Sequence, residues 1–470
     1  MANARYDLVV IGSGPGGYVA AIRASQLKMK VAVIERDRAG GVCLNWGCVP
    51  SKALLNSADT IETIRGAGKE HGIEVGEVRV DFAKVIARSR AAAEKLSRGV
   101  TYLLKKNNID FFEATAAIAG PNTVALAGAD GKPPPAAASI ETERILIAAG
   151  SGERLFPGMK IGDGVITSHQ ALVLDRIPAT VVIIGGGPIG VEFGYFYQAF
   201  GAKVTIVELE KQLIPGLDAE VAEELRRSFV KRRVTMMLGH RYKSMERKDG
   251  RWSITVESDG AEKNVEGEIV LVAVGRAPES RNLGLERVGI ELERGGFIKV
   301  NDSFQTTVPS IYAIGDVMRP PLLAHKASAE GIAAVEMMAG VREPGFDLTM
   351  IPACIYCEPE VATVGLSEAD ATARGLEVKV GKFPFRANGK AIAIGKPDGF
   401  VKVVAGKQYG EVIGCQIIGY HATDMISEVM LGRKLEATIA ELGKTAHPHP
   451  TMSEAIMEAA LAAGGEAIDI

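Results

Sequence analysis

Two stretches of the chain share one pattern of apolar and polar positions. YDLVVIGSGPGGYVAAIRASQLKMKVAVIE runs from Tyr6 to Glu35, and TVVIIGGGPIGVEFGYFYQAFGAKVTIVE from Thr180 to Glu208. In each, a short continuous apolar run, suited to a strand buried on both faces, meets a glycine turn. A longer helical stretch and a second apolar run follow. Each copy also has a similar ending, RILIAAGS running into Gly150 and EIVLVAVGRAP into Gly275. Within the copies lie alternating runs that read as antiparallel meanders, with Asp249-Gly250 and Asp259-Gly260 as hairpin turns. SIYAIGDV (Ser310 to Val317) reads as one more buried strand. After about residue 350, strand-like runs such as VKVVAG and EVIGCQIIG mix with amphipathic helices and carry no glycine motif, which suits an oligomerisation unit.

The glycines give the repeat its chemistry. Gly12, Gly14 and Gly17 fit G-x-G-x-x-G, as do Gly185, Gly187 and Gly190, and the next strand of each copy ends in an acid, Glu35 or Glu208. The first glycine makes the turn, the second admits a pyrophosphate to the backbone, and the third lets helix and strand pack closely. The helix N-terminus favours the anion, and the acid accepts hydrogen bonds from ribose hydroxyls. The repeat therefore predicts an α/β chain with two Rossmann-like domains, holding two dinucleotides, plus a C-terminal α+β interface domain. Glu208 would repel a 2′-phosphate, and no arginine stands between Val207 and Pro215, so NAD is favoured over NADP. Asp316, after the SIYAIGDV strand, is placed to hold the polyhydroxyl chain of a flavin, although a simple turn would also account for it.

Composition narrows the class. At 470 residues the chain exceeds one hydrophobic core, and a net charge of -3 gives neither a nucleic-acid footprint nor a polybasic membrane patch. No apolar run approaches the roughly 18 residues of a membrane span. MANARYDLVVIG passes straight into a strand with no leader pattern. A cytoplasmic protein is expected, or one of an organellar matrix after removal of a transit peptide. The five cysteines, Cys43, Cys48, Cys354, Cys357 and Cys415, are too few and too scattered for a secreted disulfide framework.

Cys43 and Cys48 lie in GGVCLNWGCVPSKALL. Positions five apart on a regular helix have Cα atoms roughly 8–9 Å apart, whereas a disulfide needs about 4.4–6.8 Å. The pair can close only where a helix is distorted at its first turn, with Gly47 and Pro50 supplying the irregularity. Such an accessible bridge is of the reactive kind. The bland alternative is two buried thiols serving as small apolar residues. Cys354 and Cys357 form C-x-x-C in an apolar, strand-like run, without the second C-x-x-C or histidine of a zinc site, and read as core, as does Cys415. No metal is expected. TAHPHPTMSEAIMEAA holds His447, His449 and Glu454, with a helix starting around Met452 or Ser453. Glu454 could orient His449 as a base. By itself the segment reads at least as well as a surface turn capped by Thr451 or Ser453.

GGVCLNWGCVPSK, HPHPTMSE, VGRAP, AIGDV and AHKASAEG closely resemble the motifs of the dihydrolipoyl dehydrogenases, within the pyridine-nucleotide disulfide oxidoreductases, and the resemblance spans the chain. It implies FAD in the first repeat (1–150), NAD in the second (151–279), a central segment (280–350) completing the FAD site with Asp316 and Ala324, and a dimerisation domain (351–470). It implies that Cys43 exchanges with substrate and Cys48 faces the flavin. Lys52 would sit near the flavin with Glu192 as its partner. His449, held by Glu454, would be the base and would come from the second subunit of a homodimer. The implied activity is NAD-linked reoxidation of dihydrolipoamide carried on lipoyl domains of 2-oxo acid dehydrogenase complexes or the glycine cleavage system. Another NADH-dependent disulfide reductase or a mercuric reductase is the runner-up. Mercuric reductases carry paired C-terminal cysteines, and GGEAIDI has none. The sequence departs from the family pattern at Val42 and at Trp46, which replaces a smaller residue between the two cysteines.

Overall fold

The structure is a computed structural model that describes residues 5–67, 71–129 and 135–469. Residues 1–4, read above as passing directly into a strand, lie outside the described residues. The chain divides into two compact units, each assembled from separate stretches.

The first unit comprises Met1–Ala53, Lys84–Phe156 and Gly275–Leu348. Its sheet runs in the order Asp110–Gly120, Val31–Glu35, Tyr6–Ile11, Ser139–Ile147, Ile311–Ala313, with these neighbours parallel. Along the central strand, Val9 and Ile11 enter one core cluster and Leu8 and Val10 another, so both faces are buried. The second half of Asp110–Gly120 leaves the sheet and pairs antiparallel with Thr123–Gly128, the expected meander. Ile311–Ala313, distant in sequence, adds itself beside Ile145–Ile147 and carries Asp316 to the C-terminal end of the strands. Helices Pro15–Gln26 and Ala324–Met338 cross closely. A Cβ on Gly331 would lie 2.7 Å from the Gly16 carbonyl oxygen, so only glycine permits the crossing.

The second unit comprises Leu54–Ala83, Pro157–Val274 and Thr349–Ile470. It holds the second copy, a parallel sheet ordered Thr235–Leu238, Lys203–Glu208, Thr180–Ile184, Ile269–Val272, Val165–Ile166. An antiparallel ribbon of Arg241–Lys248, Arg251–Ser258 and Ala261–Gly267 follows. Both of its turns have left-handed central residues, Asp249-Gly250 (φ 49° and 80°) and Asp259-Gly260 (φ 51° and 78°), as tight hairpins require. The C-terminal part is a five-stranded antiparallel sheet. Helices Ala422–Lys434 and Glu454–Gly464 supply Met425, Ile426, Val429, Ile456 and Ala459 to its core. Cys415 and Cys357 are fully buried, and Cys354 packs against the same core. Burial pushes the Cys357 and Cys415 thiols well up, away from reactive thiolate.

Candidate active site

The two glycine turns have the same geometry. Gly12 and Gly185 adopt φ of 101° and 113°, and a Cβ there would strike the Ala148 and Ala273 carbonyl oxygens at 2.4 and 2.2 Å. Gly17 and Gly190 bring their helices so close that a Cβ would stand 1.9 Å from the Gly12 or Gly185 oxygen. Between them, Gly14 and Gly187 precede helices Pro15–Gln26 and Pro188–Ala199, and nothing lies within 4 Å of where their Cβ would be. That is the open space at a helix N-terminus that a pyrophosphate needs. Glu35 accepts hydrogen bonds from the Ser13 N–H (2.9 Å), the Ser13 hydroxyl (2.8 Å) and the Asp37 N–H (3.0 Å). Glu208 accepts from the N–H groups of Gly186 (2.5 Å) and Glu210 (2.8 Å). Each acid is thus fixed at the lip of its own glycine turn.

Around the first cradle, Asp316 sits in the 3-10 turn Gly315–Val317 and accepts from the Ser151 hydroxyl at 2.7 Å. Arg276 Nε donates to the same hydroxyl at 2.8 Å. Ser151–Glu153 pairs antiparallel with Arg276–Pro278, setting Gly150 and Gly275 beside this small ribbon. Ala324 opens the Ala324–Met338 helix. One turn inside, Lys326 and Glu330 form a completely buried ion pair at 3.4 Å. Glu330 accepts the Gly315 N–H (2.9 Å) and Lys326 donates to the Arg319 carbonyl (2.6 Å), so the pair fixes the backbone on both sides of Asp316. Burial pushes Lys326 down and Glu330 up, each against the attraction of the other. Ser151, Arg276, Lys326 and Glu330 escaped the sequence reading. They lie in RILIAAGS, VGRAP and AHKASAEG, but nothing local in those stretches gives them a role beyond a Lys and a Glu four apart in a helix of small residues.

Cys43 and Cys48 are bonded, with Cα atoms 4.8 Å apart. The route differs from the expected one. No single helix is distorted at its first turn. Two helices, Gly41–Trp46 and Cys48–Glu62, meet at Gly47, whose φ and ψ of -149° and -112° are non-helical. Pro50 lies in the first turn of the second helix, where its missing N–H costs nothing. Cys48 therefore opens a helix, at the end that favours a thiolate. Lys52 follows one turn on, half-buried. In the other unit, Glu192 is buried on helix Pro188–Ala199 and accepts the Tyr356 N–H at 3.1 Å.

His449 Nδ1 lies 2.8 Å from Glu454 Oε1, and Glu454 Oε2 accepts the Thr451 N–H at 2.7 Å. The helix begins at Glu454, after Ser453, and Ser453 makes no side-chain cap. The Thr451 hydroxyl donates backwards to the Pro448 carbonyl. The capped surface turn is thus absent, and a carboxylate-oriented imidazole takes its place. With Nδ1–H donating to Glu454, Nε2 is the basic nitrogen, and the side chain is 78% exposed. Burial raises the Glu454 carboxyl, but the Thr451 N–H and His449 outweigh it and hold the group below the usual carboxylate range. His447 is set beside this pair by its own carboxylate, Glu428 Oε1, 2.7 Å from Nε2.

Residues 6–331 match the pyridine nucleotide-disulphide oxidoreductase family, and residues 351–460 match that family's dimerisation domain. The chain belongs to the pyridine nucleotide-disulphide oxidoreductases. Among similar proteins, a dihydrolipoyl dehydrogenase of Bacillus subtilis is 43% identical over 98% of this chain and 99% of its own. A mitochondrial dihydrolipoyl dehydrogenase of Arabidopsis thaliana is 38% identical over 99% of this chain and 91% of its own. The crystal structure of LpdA from Mycobacterium tuberculosis superposes with a TM-score of 0.89 at 28% identity, covering 97% of this chain and 99% of that one. The HOCl-induced flavoprotein disulfide reductase RclA of Escherichia coli shares the fold, with a TM-score of 0.85 at 24% identity, over 97% of this chain and 99% of that one.

This oxidoreductase family uses FAD and NAD(H), and two glycine cradles that any Cβ would fill or clash with fit two dinucleotides. A second copy of the chain is the partner that a dimerisation domain brings. Among the described residues, no helix is long and apolar enough to cross a membrane.

Proposed function

We propose that this oxidoreductase is a dihydrolipoamide dehydrogenase acting on lipoyl groups carried by partner proteins. The observation that carries the reading is the combination of a bridge opening a helix at Cys48 with an imidazole oriented by a carboxylate, His449–Glu454. FAD would be held by Gly12, Gly14, Gly17, Glu35 and Gly150 of the first repeat, with Asp316 and Ala324 from segment 280–350. NAD would be held by Gly185, Gly187, Gly190, Glu208 and Gly275. Lys52 and Glu192 would serve the flavin ring. Residues 351–470 would form the interface, and a second copy would deliver His449.

His449 Nε2 takes a proton from one thiol of the substrate, and Glu454 stabilises the resulting imidazolium. The thiolate attacks Cys43 Sγ, a substrate–Cys43 bond forms, and the Cys43–Cys48 bond breaks with Cys48 leaving as thiolate. The second substrate sulfur attacks the substrate sulfur of the mixed disulfide, and its proton passes to the departing Cys43 Sγ. Cyclic disulfide leaves and Cys43 becomes a thiol. Bound FAD would supply the acceptor for the electron pair of the reduced cysteines, and bound NAD+ the final hydride acceptor. A reducing compartment, cytoplasm or matrix, suits this catalytic use of a disulfide.

The test compares NADH-linked reduction of lipoamide, glutathione disulfide and Hg(II) by the purified holoenzyme. Lipoamide is expected to lead by at least about 100-fold in kcat/KM, the size of a discrimination built on site contacts. A faster rate on either competitor would replace this reading with that of the corresponding reductase.

A further inference from the structure

The redox segment is laced to one helix, Phe82–Lys106, by a row of side-chain donors. Ser97 donates to the Ala39 carbonyl (2.7 Å), Arg90 to the Asn45 carbonyl, Ser89 to the Pro50 carbonyl (2.8 Å) and Arg88 to the Ala53 carbonyl (2.9 Å). These carbonyls lie before, between and after the two cysteines. The Asn45 carbonyl matters most. It sits in the last turn of a six-residue helix that stops at Gly47, where carbonyls have no intrahelical donor. Arg90 supplies that donor. Its guanidinium also lies over the Trp46 ring, 4.2 Å from the centroid. The indole N–H donates to Asp37 Oδ2 at 2.7 Å, and the Asp37 N–H is in turn held by Glu35. Trp46 is thus turned toward Asp37 and Arg90, and ties the Cys43 helix to the loop that follows the ribose-binding acid.

A six-residue helix does not hold itself in water. After reduction, the chance that Cys43 meets Cys48 again depends on what holds that helix. We propose that Arg90 and Trp46 are positioning residues that clamp the Cys43 helix and thereby set the equilibrium between the Cys43–Cys48 disulfide and its dithiol. The inference rests on reading this bridge as the working group. Losing one stacked, hydrogen-bonded contact of this kind is expected to lower the effective concentration of the two thiols about tenfold. The equilibrium then moves toward the dithiol by the same factor, an upward shift of about 30 mV for two electrons.

The holoenzyme is equilibrated anaerobically with reduced and oxidised dithiothreitol in known ratio. Dithiothreitol gives up two electrons and two protons to become its cyclic disulfide, while the Cys43–Cys48 bond breaks to two thiols. Alkylation and mass spectrometry then count the thiols, with flavin content recorded alongside. R90A and W46V are each expected to shift the equilibrium about tenfold toward dithiol. R90K, which keeps charge but not the planar stack, and W46F, which keeps the ring but not the N–H, should give smaller shifts in the same direction and cover the case of a variant that does not fold. The double variant should shift little more than the worse single one, because both remove one clamp. An unchanged equilibrium in folded, flavin-replete variants would overturn the proposal, as would strictly additive shifts. A wild-type pair that never exchanges with dithiothreitol would instead overturn the reading of the bridge itself.

Discussion

At Glu454 two physical effects oppose each other. Burial favours the neutral acid, while the Thr451 N–H and His449 favour the carboxylate and prevail. Because the folded pKa is depressed, Glu454 adds stability that is present above the unfolded value of about 4.3. That stability is lost as pH falls through the lower folded value. The difference in thermal midpoint between wild type and E454Q is therefore expected to be full above about pH 5 and to shrink toward acid, as calorimetry across that range would show. The same carboxylate selects the tautomer of His449, so E454Q should also slow the reductive half-reaction with dihydrolipoamide. If His449 is the base, H449A should cost about 10²–10⁴-fold in that step, without loss of bound flavin. Stopped-flow mixing reads both. From the residues alone His449 and Glu454 read no better as an oriented base than as a surface turn, and only the resemblance tipped the balance, because five residues of separation beside two prolines do not say which way an imidazole turns. Gly12, Gly17, Gly185 and Gly190 were legible from the residues alone, since their spacing is the geometry of the turn.

Among the elements, the strand Phe400–Gly406 is tied to the helix Ala219–Lys231 by one buried cation. Lys402, 4% exposed, donates to Asp218 (3.1 Å), Glu220 (2.7 Å) and Glu368 (3.0 Å). Asp218 is also the cap of that helix, accepting from the Glu220 N–H at 2.9 Å. Burial pulls Lys402 down, but the hydrogen bonds to the three carboxylates reverse this and hold it well above the ordinary lysine value. A raised folded pKa means that this stability is complete below the unfolded value of about 10.4. It fades only as pH rises through the higher folded value. K402M leaves Asp218 buried beside two like charges and is expected to cost about 3–5 kcal/mol. The denaturation midpoint should fall at unchanged slope, and D218N should restore part of the loss in the K402M background. In the sequence Lys402 stands inside VKVVAG and reads as the polar side of a strand, because its three partners come from other parts of the chain. The break at Gly47 was half legible. The spacing of Cys43 and Cys48 excluded a regular helix and pointed to Gly47, but that Gly47 separates two helices while Pro50 breaks neither depended on backbone angles that local sequence does not dictate.

For the whole molecule, the sharpest question is which subunit supplies the base. If His449 serves the bridge of the second copy, mixing inactive C43S and H449A subunits builds heterodimers with one intact site. Random reassociation then restores about a quarter of wild-type activity, half the dimers having half their sites. A base acting within its own chain gives none. The mixing experiment, with subunits exchanged in mild denaturant and then assayed, separates the two.

By itself the sequence determined the local geometry. It specified the two strand–turn–helix copies, the acids that end them, the left-handed hairpin turns at Asp249-Gly250 and Asp259-Gly260, and the reactive pair Cys43 and Cys48. These are set by steric limits and spacing within a few residues. Tertiary structure alone decided the support. It placed Ile311–Ala313 beside Ile145–Ile147, buried Lys326 against Glu330 under Asp316, and aimed Arg90 at the Asn45 carbonyl with Trp46 beneath it. Apart from the Lys326–Glu330 pair, which is four apart on one helix, such contacts join residues tens to hundreds of positions apart. Their partners are chosen by packing and by the need to satisfy buried polar groups, and no short-range pattern encodes that choice.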